Sequence, residues 1–127
     1  MAGTFTVRWN AAKNRVEETL VGQWDTDTMR RYETEFRAIV DAIPSPKWTM
    51  LVDMRNAPPR PEENQRKIET IIQVCVAKGC VKIVAIAPKA VVTMQMKRLS
   101  HSAGADDLMA YASTEAEAEQ LLCAVPV

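Results

Sequence analysis

One stretch, Trp48–Gly79 (WTMLVDMRNAPPRPEENQRKIETIIQVCVAKG), constrains the fold more than any other. It opens on the strand predicted at Lys47–Met54, which after Lys47 is apolar except at Thr49 and Asp53. A strand that is apolar at successive positions calls for cover on both faces, the habit of a parallel sheet flanked by helices. Two prolines then stiffen a short loop. Pro61 suits a first helical turn, and Glu62 and Glu63 suit the positive end of the helix dipole. Ile68, Ile71, Ile72, Cys75 and Val76 follow helical spacing and predict a buried stripe. Gly79 suits the left-handed residue that stops the helix. The stretch is therefore a strand–loop–helix unit, and the chain on either side must be compatible with it.

Upstream, Phe5, Val7 and Trp9 alternate with polar residues and predict a half-buried strand at Thr4–Trp9. A polar turn follows, then a second strand near Arg15–Gln23 with Val16, Leu20 and Trp24 on one face. Two such strands joined by a short turn read as a hairpin at a sheet edge. Asp25 is placed to cap a helix, with Trp24 and Met29 spaced as a hydrophobic staple. Met29, Tyr32, Phe36, Ile39, Val40 and Ile43 mark its buried face, and Pro44 and Pro46 end it. Downstream, Val81–Ala87 predicts a buried strand, Ala90–Ala103 a helix and Leu108–Ala112 a short strand. Thr114-Glu115-Ala116-Glu117 reads as a capping box opening a last helix with Leu121 and Leu122.

The expected fold is thus α/β, in the order β-β-α-β-α-β-α-β-α. It is a mixed, mostly parallel five-stranded sheet with covering helices, in one domain over residues 1–127. A chain of 127 residues, 47% of them hydrophobic, can bury a substantial core.

This element order in so short a chain resembles the STAS domain. That is the fold of bacterial anti-sigma-factor antagonists and of the cytoplasmic tails of sulfate transporters. The unit at Trp48–Gly79 carries the resemblance, through an apolar strand ending in an acid (Asp53 in LVDM) and a short loop into the second helix. In the antagonists a serine at the start of that helix is phosphorylated by a partner kinase and controls partner binding. Here the helix start is Pro61-Glu62-Glu63-Asn64, and the only hydroxyl between Trp48 and Thr70 is Thr49, within the strand. The resemblance therefore implies a divergent member lacking the phosphorylatable serine. Fixed carboxylates supply charge there but no reversible switch, since phosphorylation adds close to two charges and three acceptors. Some divergent bacterial members look related to lipid-carrying domains, which adds small-molecule binding as an alternative.

Candidate site residues cluster at the carboxyl ends of the central strands, where open α/β sheets favour ligands. Arg55, Asn56 and Arg60 leave the first of these strands, and with the exposed N-terminus of the second helix they can hold a carboxylate or phosphate, which Glu62 and Glu63 at that terminus oppose. The plainer alternative pairs the arginines with Glu62, Glu63 or Asp53. Asp53 itself suits either a general base or a loop cap. Pro88 and Lys89 follow the next strand and extend the same edge. On the third helix, Val91, Val92, Met94 and Met96 cannot all share one face, so Met94 is a candidate for an exposed partner or ligand contact.

Several classes are excluded or unsupported. Sixteen basic and sixteen acidic residues cancel, without the basic patch that nucleic acid or an anionic membrane requires. Apolar runs are too short for membrane insertion, and MAGTFTVRWN does not read as a secretory signal. Three cysteines suit reduced thiols in a cytoplasmic protein. Cys75, Cys80, Cys123 and the lone His101 lack the spacing of a metal site. The four glycines are scattered, so no phosphate-cradling loop and no cofactor are expected. No catalytic pair can be assembled. The reading is a non-catalytic cytoplasmic regulatory module binding a protein partner or a second copy, without serine phosphorylation. The alternative is a carrier or sensor of a small amphipathic (lipid-like) or anionic ligand held between the second and third helices. A carrier of that kind needs a cavity of several hundred Å³.

Overall fold

A computed structural model describes residues 3–127; the first two residues of the N-terminal stretch read for a secretory signal lie outside them. Five strands form one sheet in sequence order: β1 (Thr4–Asn10), β2 (Arg15–Val21), β3 (Trp48–Asn56), β4 (Cys80–Ile86) and β5 (Met109–Ala112). The hairpin pair β1–β2 is antiparallel and every later pair is parallel. Four helices connect and cover them: α1 (Thr26–Asp41), α2 (Glu62–Ala77), α3 (Ala90–Ser102) and α4 (Glu115–Cys123). The α/β fold and element order are those expected.

The helix starts follow from their capping chemistry. Asp25 accepts a hydrogen bond from the backbone N–H of Thr28, and Thr114 accepts one from Glu117. Pro61 lies one residue before α2, at the cap position, where its fixed φ of −65° suits the extended backbone. Gly79 takes φ +99° just beyond α2, and a Cβ there would sit 2.1 Å from the carbonyl oxygen of Pro46. Only glycine lets the chain pass this close to the Pro46 loop before entering β4.

The two sheet faces are covered unequally. α1, α2 and α3 pack on one face over a large core containing Trp48, Phe36, Met29 and Ile83, each 0–1% exposed. Burying side chains of this size stabilises the fold by roughly 1.5–3 kcal/mol apiece. Phe5, Trp24, Tyr32 and Phe36 form a continuous aromatic chain with centroids 5.0–5.9 Å apart, which ties the hairpin to α1. The other face carries α4 alone, whose Ala118 and Leu122 pack against Val84, Ile86 and Ala112. Leu51 and Asp53 of β3, on that side, are only half-buried, so the expectation of burial on both faces of β3 holds in full for one face.

Some boundaries and burials differ from expectation. β2 ends at Val21, ahead of Gln23, because the register with β3 shifts between Thr19 and Val21 and Gly22 turns with φ +74°. β3 extends two residues past Met54, its end fixed by the Gly22 N–H donating to the Asn56 carbonyl at 2.9 Å. Val76 is 48% exposed; it lies at the rim of the α2 stripe, beyond the cover that Ile72 and Cys75 share. Within α4, Leu121 is exposed while Leu122 is buried against the sheet.

Candidate functional site

The least ordinary feature of the molecule is polar chemistry inside its large core. Pleating alternates side chains across β2, so Val16, Glu18 and Leu20 share the face packed by α1–α3. Glu18 is therefore delivered into the core and is 4% exposed. Both carboxyl oxygens lie within 2.8–2.9 Å of the Tyr32 hydroxyl on α1. Burial pushes the Glu18 pKa up to about 8, and the hydroxyl offsets only part of that rise. At neutral pH Glu18 is chiefly an uncharged acid, and acid and phenol can then each donate to the other. Desolvation, together with Glu18, likewise raises Tyr32 well above the usual phenol range.

Arg60 enters the same core from the loop before α2 and is 7% exposed. Its Nη1 donates to the Gly22 carbonyl at 2.7 Å, and its guanidinium lies 4.5 Å above the Trp24 ring. Its backbone is clamped by two glutamines. The Arg60 N–H donates to Gln95 Oε1 at 3.0 Å, and Gln95 and Gln65 both donate to the Arg60 carbonyl. Desolvation lowers its pKa, although a guanidinium stays charged at any ordinary pH. Glu18, Tyr32, Arg60 and Gln95 all line a cavity of about 50 Å³, whose remaining walls are apolar.

The opposite face, under and beside α4, is organised by ion pairs. Arg55 Nη2 bonds Asp53 at 2.7 Å and Glu115 at 2.9 Å. Arg15 reaches Glu119 at 2.6 Å, and Arg8 pairs with Glu17 across the hairpin. The Arg55 hydrogen bond holds the Asp53 carboxyl below its ordinary range, and Arg15 does the same for Glu119. These charges border a groove of about 390 Å³ between β1–β3 and α4. Asp53 also accepts the Arg55 backbone N–H at 3.1 Å, the geometry of a loop cap.

The structure separates residues that the sequence places together. Arg55 faces the α4 side and is satisfied by carboxylates, whereas Arg60 is buried on the α1–α3 side. A single anion clamp made of both arginines is thus corrected: alternation along β3 and the turn through Ala57–Pro59 send them to opposite faces. Pairing of Arg60 with Asp53, Glu62 or Glu63 is corrected too, since its hydrogen-bonded neighbour is a carbonyl. Asn56 is exposed at the end of β3. Glu62 and Glu63 are exposed in the first turn of α2, where Glu62 pairs with Arg66 at 3.5 Å. Pro88 and Lys89 follow β4, directly after Ala87, which takes φ +43° although it carries a Cβ. Such backbone costs about 1–3 kcal/mol and persists only where surroundings impose it. Met94 is 71% exposed and Val91 50%, while Met96 lines the cavity.

Glu18 and Tyr32 are the site residues that sequence reasoning passes over. The signal was available: Glu18 falls between Val16 and Leu20 on a strand of period two. An acid on a core-facing position is more informative than any apolar residue beside it.

No family model matches this chain, and no curated protein matches it. A solved structure of the anti-sigma factor antagonist SpoIIAA in its unphosphorylated form is similar to it. The TM-score is 0.64 at 13% sequence identity, over 98% of this chain and 100% of that one. At that identity the likeness shows the fold alone: an α/β, SpoIIAA-like arrangement of the STAS kind, with a five-stranded, mostly parallel sheet.

Proposed function

We propose that this chain is a non-catalytic protein-interaction module of STAS-like regulatory type, working without serine phosphorylation. The carrying observation is the pair of large apolar side chains, Val91 and Met94, that α3 presents to solvent one turn apart. They lie near the start of α2, because Arg98 of α3 bonds Gln65 of α2 at 2.6 Å and Gln95 clamps Arg60. Lys89 stands at the N-cap of α3, and Glu62 and Glu63 carry fixed charge in the first turn of α2. The solved structure that is similar to this chain is of an anti-sigma factor antagonist, which favours a protein as the partner. A second copy of the chain is the other candidate partner.

The test compares wild type with Val91→Asp/Met94→Asp. Both positions are exposed, so the thermal midpoint should be unchanged. Sedimentation velocity shows whether a second copy is the partner, and crosslinking in cells identifies any other. Loss of the partner in the double variant, but not in a control on the far side of α1 such as Glu35→Lys, supports the reading. A partner that stays bound to the double variant refutes it. The cavity of about 50 Å³ falls well short of the several hundred Å³ expected of a carrier of a small lipid-like ligand.

A further inference from the structure

Arg60 is a buried cation with an incomplete set of partners. Nη1 has the Gly22 carbonyl and the ring of Trp24 lies beneath the guanidinium, but Nη2 is buried with no hydrogen-bond partner among the described residues. No carboxylate among them pairs with it. Buried charges are ordinarily paired, because an uncompensated one carries its full desolvation cost. The loop does not leave Arg60 there by looseness: Gln65 and Gln95 hold its backbone at both N–H and carbonyl. The acid on the same cavity, Glu18, is engaged by Tyr32.

Apart from Arg60, Glu18, Tyr32 and Gln95 the cavity walls are apolar, and the cavity has room for more than one water-sized group. Met50, Met54 and Met96 are among its walls, and methionine adjusts to irregular occupants. A single free guanidinium nitrogen offers too few donors to satisfy a phosphate or sulfate. It suits one carboxylate, and the apolar walls suit a short aliphatic tail.

We propose that the core cavity is a binding site for a short-chain monocarboxylate, its carboxylate against Arg60 Nη2 and its tail among Met50, Met54 and Met96. The site lies inside the α1–α3 face and does not depend on the protein-contact surface outside α3. It makes the chain a module whose core responds to a small acid.

The experiment titrates the full chain, carrying ¹³C-methyl methionine, with sodium butyrate at fixed ionic strength. Saturable shifts of the Met54 and Met96 methyl resonances are expected. Sodium chloride at equal strength should produce none, and butyramide, which has the same shape without the charge, should bind at least tenfold more weakly. Arg60→Met should abolish the butyrate shifts while keeping a folded methyl spectrum. If that variant does not fold, the butyrate–butyramide comparison on wild type decides alone. Absence of saturable shifts, equal binding of butyramide or chloride, or butyrate binding by a folded Arg60→Met overturns the proposal.

Discussion

Replacing Glu18 by Gln removes a proton-binding group that the fold holds in an unusual state, and the consequence is a change in how stability depends on pH. Glu18 has a folded pKa of about 8 against an ordinary value of 4.5. Between those two values the folded chain keeps a proton that the unfolded chain has released. Unfolding then loses a proton, so stability falls as pH rises, by about 1.4 kcal/mol per pH unit. The contribution is greatest below about pH 4.5, has lost about 3 kcal/mol by pH 7, and levels off above pH 8 at a ceiling of about 5 kcal/mol. Water drawn toward the ionised carboxylate would bring the observed figure below that ceiling. The direction is opposite to that of the paired carboxylates Asp25, Asp53 and Glu119. Their lowered pKa values contribute stability above the ordinary carboxylate pKa, lost as pH falls through the folded values.

Those opposing groups are common to wild type and variant, so the difference between the two isolates Glu18. Urea unfolding of wild type and Glu18→Gln at each pH from 5 to 9 should show the variant gaining relative stability by about 1.4 kcal/mol per unit, then holding constant above pH 8. Gln fits the site because its carbonyl can accept the Tyr32 hydroxyl and its amide can donate to the phenol oxygen. Tyr32→Phe should move the levelling point to higher pH, since the hydroxyl favours the ionised acid, and should cost about 1–3 kcal/mol for the partner lost. Parallel pH curves for wild type and Glu18→Gln would refute the reasoning: Glu18 would then be charged in the folded state or free to reach water.

Two further outcomes test the backbone logic of the fold. Gly79→Ala places a Cβ against the Pro46 carbonyl at φ +99°, so it should destabilise by at least about 1–3 kcal/mol from the backbone alone, read as a lower urea midpoint with unchanged slope. Asp25→Ala removes the acceptor for the Thr28 N–H and should cost about 0.5–2 kcal/mol, most of which Asp25→Ser should restore.

Much of the architecture was legible because its signals are local. Asp25 and Thr114 announce helix starts through the hydrogen bonds they can accept, and Gly79 announces an end through a backbone only glycine takes easily. The period-two and period-3.6 patterns then order the elements. The candidate site was less legible because it depends on which face each residue meets. Arg55 and Arg60 are five positions apart in sequence, close enough to suggest one clamp, but the sheet lies between their side chains. The strand period exposes Glu18 as a core-facing acid, but its partner is not legible, since Tyr32 reaches it from α1, 14 positions away.

The directions of the buried shifts also say what Glu18 and Arg60 are not. An ion pair between them would lower the acid's pKa and raise the base's. The reverse holds: Glu18 is raised and Arg60 is lowered, each by desolvation first. They border one cavity as a neutral acid bound to a phenol and a cation bound to a carbonyl. Neither arrangement is an economical way to fill a core, because well-packed apolar groups in place of buried polar ones are often neutral or stabilising. The paired charges beneath α4 need no explanation beyond their own pairing, whereas Arg60 has no charge partner among the described residues. That asymmetry is the basis for proposing small-acid binding in the core face, separate from the protein contact proposed for the outside of α3.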